Sequence, residues 1–270
     1  MSEGPVRPVN AIVVAGGEVS QNDPLMVLQP PKRKKALLDL AGRPLAAWVV
    51  ASLLASPQVR QVVVVGLPAA TLAPHAIPTA YLPDQGGLIP NVIAGMLWIM
   101  AHHPDTEAML LASGDIPLLT VAAIDDFLRA CMPYDCLLYA TYVPRQQMEA
   151  DFPGSRRTYI RLKNLEGTGG NLFLLGPGLL QTEQQLWEEL THARKHPWKV
   201  ARVVGLGMML RLLLRQLTIP YIENRGKAIL GGPIRLVETT HTSIAMDVDK
   251  PEQLEMVRQK LQWRDKAGDE

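Results

Sequence analysis

Val62-Val63-Val64-Val65 constrains this fold more than any other stretch. A β-branched apolar run this short, from Gln61 to Val65, is a strand with no wet face. Both of its faces must be covered, and the surrounding sequence supplies the cover in a strand–helix alternation. Asn10 to Ala15, Met109 to Ser113 and Cys136 to Thr141 are further short strands. Leu37 to Leu40 reads as a turn. Helical spacing appears at Pro44 to Leu54, with Pro44 at the first helical position, at Asn91 to His102 and at Val121 to Met132. Such alternation argues for parallel βαβ units with helices on both faces.

From Tyr142 the rhythm changes. Pro144 to Arg157 reads as a polar loop and Thr158 to Leu162 as an edge strand. Gly167-Thr168-Gly169-Gly170 breaks the pattern before a strand at Asn171 to Leu175. Pro177 to Leu217 reads as mostly helical, broken around His196-Pro197, and the charged tail after Gln262 reads as frayed. With 270 residues, the expectation is one domain over 1–270 carrying a helical insert at about 179–217. A homodimer through that insert is an expected partner arrangement.

A formal charge of +1 gives no electrostatic reason to expect nucleic acid. Cys131 and Cys136 are the two cysteines, without metal-ligand spacing, and read as reduced residues of a cytoplasmic protein. Met1 to Asn10 is polar, unlike a signal peptide. No apolar run reaches the roughly 18 residues of a membrane span. Val200 to Leu217 comes nearest, but Arg202, Arg211 and Arg215 interrupt it, so it reads as a buried or partner-facing amphipathic helix. His192 and His196 lack a third ligand, and Trp187 and Trp198 read as packing residues.

The chemistry gathers at three junctions. At the first, Ala15-Gly16-Gly17 follows a buried strand, and glycines there let backbone amides approach an anion. Behind them, Lys32-Arg33-Lys34-Lys35 supplies the positive charge that a triphosphate needs, or else forms a solvated charge run. The glycine fingerprints of dinucleotide folds and P-loops are both missing. At the second, Ser113-Gly114-Asp115-Ile116-Pro117 puts the Asp115 carboxylate at the carboxyl end of a strand. It is either a turn residue or a ligand of magnesium on a nucleotide phosphate. At the third, Pro251-Glu252 starts a helix and leaves Asp247 and Asp249 on the preceding extended loop, pointing the same way. Asp249 is otherwise the cap of that helix.

Ala15-Gly16-Gly17, Lys35-Ala36-Leu37-Leu38 with Gly42-Arg43-Pro44-Leu45, Gly114-Asp115-Ile116-Pro117-Leu118 and Asp247-Val248-Asp249-Lys250-Pro251-Glu252 occur in this order. Together they resemble the nucleotidyltransferase superfamily of molybdenum-cofactor guanylyl- and cytidylyltransferases (MobA-like NTP transferases) and sugar-phosphate nucleotidyltransferases. The resemblance spans roughly Asn10 to Lys260, except the insert. It implies a Rossmann-like, doubly wound, mostly parallel α/β sheet of GT-A-like nucleotide-diphospho-sugar transferase architecture, with a mixed edge. It also implies a triphosphate on the amides of Ala15, Gly16 and Gly17, with Lys35 as a catalytic cation. Gln85, Gly86, Gly87 and Asn91 would surround the base. Gly170 and Asn171 would face the acceptor, and Asp115 would hold Mg2+ together with Asp249 or Asp247. Relatives often carry an Arg soon after the Gly-Gly loop; here the segment is Glu18-Val19-Ser20, and Arg33 or Lys32 is the substitute that the sequence offers.

The implied reaction moves a nucleoside monophosphate unit from a nucleoside triphosphate, CTP or GTP favoured, to a phosphorylated small-molecule acceptor and releases pyrophosphate. A GT-A-type glycosyltransferase using Asp247-Val248-Asp249, and a non-catalytic nucleotide-binding or assembly protein, are the alternatives.

Overall fold

The computed structural model describes residues 7–20, 23–28, 33–182 and 205–267. Strands β1 (Val9–Val14), β4 (Val59–Val65), β5 (Ala80–Leu82) and β6 (Met109–Ser113) form the parallel heart of an eight-stranded sheet. With β7 (Leu138–Pro144), β9 (Glu166–Leu175) and β10 (Ile234–Glu238), the order is β10-β7-β9-β6-β1-β4-β5. β9 runs antiparallel to both β6 and β7, which makes the edge mixed, while β10 pairs parallel with β7. The short β8 (Ile160–Arg161) hangs on β9. Asp39–Leu40 (β2) and Arg43–Pro44 (β3) form a separate small hairpin.

The valine run behaves as its composition requires: Val62 to Val65 are all fully buried. Their side chains alternate between two apolar layers. Val62 and Val64 join Ala11, Val13 and Leu110 beneath helices α1 (Leu45–Ala55) and α3 (Val121–Cys131). Val63 and Val65 join Ile12, Met109 and Leu111 beneath α2 (Leu88–His102). Helices thus cover both faces, as a doubly wound sheet demands. Gly95 lets α2 close on β1, since a Cβ there would lie 2.7 Å from Ile12 Cγ2. A third apolar cluster joins Leu38, Leu40, Leu45, Met246, Val248 and, from the helix Pro251–Ala267, Leu254, and it seats the last junction against the sheet.

Four elements differ from the sequence pattern. Pro144 to Arg157 contains a helix, α4 (Arg145–Asp151), anchored by buried Met148. The glycine run at 167–170 lies inside β9 instead of breaking it. There the missing side chains make room: a Cβ at Gly167 would meet the Val143 carbonyl oxygen at 2.7 Å. Pro44 closes the hairpin strand and precedes α1 by one residue. The final helix, α7 (Pro251–Ala267), runs well past Gln262.

The expected helical insert begins with a 3-10 turn at Pro177–Gln181; most of the rest, with His192, His196, Trp187 and Trp198, lies outside the described residues. Described again are α5 (Leu206–Leu213), with Leu210 and Leu213 exposed, and α6 (Ile219–Leu230). Among the described residues, no helix is long and apolar enough to cross a membrane.

Candidate active site

The carboxyl ends of β1, β6 and β5 open onto one cleft of about 520 Å³. Open α/β sheets bind ligands at such an edge. Ala15, Gly16, Gly17 and Glu18 form one wall, and Asp84, Gly86, Gly87 and Asn91 the other. Lys35, Ser113 and Asp115 lie within it. The walls approach closely at Gly16, where a Cβ would sit 2.8 Å from Asp84 Oδ1. Gly66, with φ of +101°, passes directly over the Gly16 backbone, a conformation and approach that only glycine tolerates.

Lys35 sits at the start of a 3-10 turn, Lys35–Leu37, and its backbone N–H donates to Gly17 O at 2.9 Å. That bond seats the lysine beneath the glycine loop. Its ammonium lies 3.0 Å from Asp115 Oδ2 and also pairs with Asp249. Burial weakens this ammonium, but Asp115 and Asp249 outweigh burial and hold its pKa above the ordinary lysine value. The Ser113 hydroxyl donates to Asp115 Oδ1, and Asp115 O accepts from Val248 N at 3.0 Å. The second and third junctions are therefore stitched together through the backbone. Asp115, Asp247 and Asp249 offer ligand atoms that all lie within 4.8 Å of one another.

Arg157 was invisible in the sequence pattern, lying at the end of a segment read as loop. Its guanidinium pairs with Asp247, and burial pulls its pKa down against the opposing pull of Asp249 and Asp115. Gln253 fixes this corner, donating from Nε2 to Ser155 O at 3.2 Å while accepting from Asp249 N at 2.8 Å.

Of the expected phosphate-side cations, Lys32 lies outside the described residues. Arg33 is exposed, contributing its carbonyl to Val19 N at 3.0 Å. Lys34 takes the inner position instead. Its Nζ donates to Gly16 O at 2.9 Å, Glu18 Oε1 at 3.1 Å and Asp84 Oδ2 at 2.5 Å. On the opposite wall, buried Asn91 donates from Nδ2 to Asp84 Oδ1 at 3.0 Å and accepts from Gln85 N at 2.7 Å. The Gln85 side chain folds back onto Pro83 O at 2.8 Å and does not line the cleft. Gly170 and Asn171 lie in β9 and do not line it either; Gly170 packs on Thr141 and Ile244. Asn171 Nδ2 is buried without a hydrogen-bond partner among the described residues. Both cysteines are free and buried, and burial raises both thiol pKa values, so neither is a ready nucleophile.

Residues 11–224 match the model of the MobA-like NTP transferase domain. The chain belongs to that family. A hypothetical transferase structure from Thermus thermophilus is 35% identical, with a TM-score of 0.79, covering 92% of this chain and 99% of that one. The molybdenum cofactor guanylyltransferase of Rhodopseudomonas palustris (strain BisB5) is 34% identical over 121 residues, 44% of this chain; the match spans 52%, about half, of that relative's length. A CMP:2-keto-3-deoxy-manno-octonic acid synthetase complexed with CTP shares the fold at 14% identity, with a TM-score of 0.58 and coverage of 95% of this chain and 99% of that one. The family is one of nucleotidyltransferases, and the α/β sheet with its mixed edge is the fold of these neighbours. The first two motif junctions line this cleft, and the third adjoins it through the Lys35–Asp249 pair and the Val248 N to Asp115 O bond.

Proposed function

We propose that this MobA-like protein transfers a nucleoside monophosphate unit from a nucleoside triphosphate to a phosphorylated small-molecule acceptor, with release of pyrophosphate. The observation that carries the reading is the convergence of the Ala15–Gly17 amides, Lys35 and Asp115 at one strand-end cleft. The glycine loop is shaped to take the triphosphate, with Lys35 beside it as the charge that meets the phosphates. Gly86, Gly87 and Asn91 line the wall suited to the base. CTP and GTP are the favoured donors, in keeping with a guanylyltransferase relative and a fold neighbour that holds CTP.

The acceptor phosphate oxygen attacks the α-phosphorus in line and the bond to pyrophosphate breaks. A phosphate is already ionised at neutral pH, so the step needs positioning and charge neutralisation, not a general base. The three clustered carboxylates fit a hard, oxygen-seeking cation. Because Arg157 engages Asp247, we assign Asp115 and Asp249 as the magnesium ligands and Asp247 as their support. Magnesium bound there would neutralise triphosphate charge and fix its orientation. The acceptor-side role of Gly170 and Asn171 rests on the family resemblance alone, since neither lines the cleft. Buried free thiols are in keeping with a reducing, cytoplasmic setting.

The test is pyrophosphate release with each of the four triphosphates, magnesium and a panel of phosphorylated metabolites. Asp115→Ala should retain the wild-type circular dichroism spectrum and lose roughly 100- to 1000-fold in rate. Near wild-type turnover in Asp115→Ala would overturn the metal assignment. Release of a nucleoside diphosphate from a nucleotide sugar, in place of pyrophosphate, would favour a glycosyltransferase.

A further inference from the structure

Lys34 is adjacent to the catalytic lysine but faces a different set of partners. An ammonium has three N–H donors. Lys34 directs them to three acceptors: Gly16 O and Glu18 Oε1 on the glycine loop, and Asp84 Oδ2 on the opposite wall. The side chain is only 18% exposed, and Lys34 does not line the cleft. Backbone bonds hold its base in place, Lys35 N to Gly17 O at 2.9 Å and Val19 N to Arg33 O at 3.0 Å, on either side of an antiparallel Glu18–Lys34 bridge.

Asp84 carries the connection onward. Its Oδ2 takes Lys34, while its Oδ1 takes Gly86 N at 3.0 Å and Asn91 Nδ2 at 3.0 Å. Asn91 belongs to the first turn of α2. One side chain therefore links the loop after β1 to the loop after β5 and, through Asp84, to the start of α2. To touch a phosphate, the ammonium would have to leave at least one carboxylate that now holds it.

We propose that Lys34 is a clasp between the two walls of the cleft, a positioning residue that fixes their separation for a ligand spanning both. The ligand class rests on the nucleotide reading given above; the clasp itself does not. A clasp and a direct phosphate ligand differ in what their loss does. Removing a clasp weakens a ligand that touches both walls and spares one that touches only the glycine loop. Removing a phosphate ligand weakens both.

The experiment compares wild type with Lys34→Met and Lys34→Arg. Titration calorimetry with CTP, GTP and inorganic tripolyphosphate is run at about 0.15 M salt, where long-range charge effects are screened. Hydrogen exchange is followed in the ligand-free proteins. For Lys34→Met we expect roughly tenfold weaker nucleotide binding, the loss of a charge-assisted bond between partly buried groups. Tripolyphosphate binding should change by no more than about twofold, because its contacts stay on one wall. Exchange should accelerate at the Gln85, Gly86 and Val19 amides, and Lys34→Arg should restore much of the protection. Equal losses for nucleotide and tripolyphosphate, or unchanged exchange at 84–86, would overturn the clasp. If wild type binds no nucleotide, the nucleotide reading fails, and the exchange data still decide the clasp alone. If Lys34→Met does not fold, Lys34→Gln, which stays polar but drops the charge and shortens the reach to Asp84, is read by the same measurements.

Discussion

Replacing Lys35 with methionine keeps an unbranched stem and deletes the charge between the carboxylates. The ammonium is 3.0 Å from Asp115 Oδ2, and both side chains are 17% exposed. At an effective dielectric constant near 20, unit charges that close attract by about 5–6 kcal/mol. Desolvating an ion costs several kcal/mol, so the net worth of the seat is nearer that of a charge-assisted hydrogen bond, about 1.5–3 kcal/mol. The variant also leaves Asp115, Asp247 and Asp249 with ligand atoms within 4.8 Å of one another. Two like charges at that spacing repel by about 3–4 kcal/mol at the same dielectric. Arg157 offsets part of this repulsion, and half-exposed Asp249 relaxes into water.

The net expectation for Lys35→Met is a loss of about 2–4 kcal/mol, or roughly 5–10 °C in Tm for a chain of this size. Scanning calorimetry at neutral pH with a chelator measures it. Added magnesium should recover part of the loss, because an ion that binds the native cluster and not the unfolded chain stabilises by mass action. A Tm within about 1 °C of wild type in chelator would refute the claim that Lys35 holds the carboxylates together. A loss identical in chelator and in magnesium would refute the cation site itself.

The shifted groups bracket a flat range of pH. Lys35 is raised from 10.5, so its contribution is complete below that value and is lost as pH climbs through the higher folded value. Asp84 is lowered from 3.8: burial alone would raise it, but hydrogen bonds from Lys34, Asn91 and Gly86 prevail. Its contribution is complete above 3.8 and is lost as pH falls through the lowered value. The stability difference between wild type and Lys35→Met should therefore stay constant between about pH 6 and 9, as denaturant titrations at each pH would show. Gly95→Ala would place a Cβ 2.7 Å from Ile12 Cγ2, and Gly170→Ala one 2.7 Å from Ile244 Cγ2. Each should cost about 1–3 kcal/mol through overpacking, measured as a lower midpoint with an unchanged denaturant slope.

The parallel core was legible because its strands are buried on both faces, so Val62 to Val65 and Met109 to Ser113 advertise themselves without alternation. α4 was not, because buried Met148 gives it a single apolar anchor and no stripe. The glycines of β9 looked like a break because propensity is local. For Gly167 and Gly170 the reason is tertiary, since they lie against Val143, Thr141 and Ile244. In the site, what lies next to a strand end or a helix start could be read from the chain: the Ala15–Gly17 loop and Asp115 after strands, and the Asp247–Asp249 loop before the last helix. What depends on pairing across the fold could not. Asp84 meets Lys34 across 50 positions, and nothing near Arg157 in the sequence announces Asp247.

The tandem of lysines shows how much the register matters. Lys34 has extended backbone angles, φ −68° and ψ 124°, just before the 3-10 turn that Lys35 begins. Successive side chains on extended backbone point to opposite sides. So Lys34 meets Glu18 and Asp84 while Lys35 meets Asp115 and Asp249. The alternation is pinned by the Lys35 N to Gly17 O bond at 2.9 Å. A slip of one residue between Gly17 and Lys35 would put Lys34 on the carboxylates of Asp115 and Asp249, and Arg33 against Asp84. Counting positive charges in the Lys32–Lys35 run cannot reveal this division. In the structure Lys35 meets the carboxylate cluster beside the glycine loop, and its neighbour Lys34 joins the walls of the cleft.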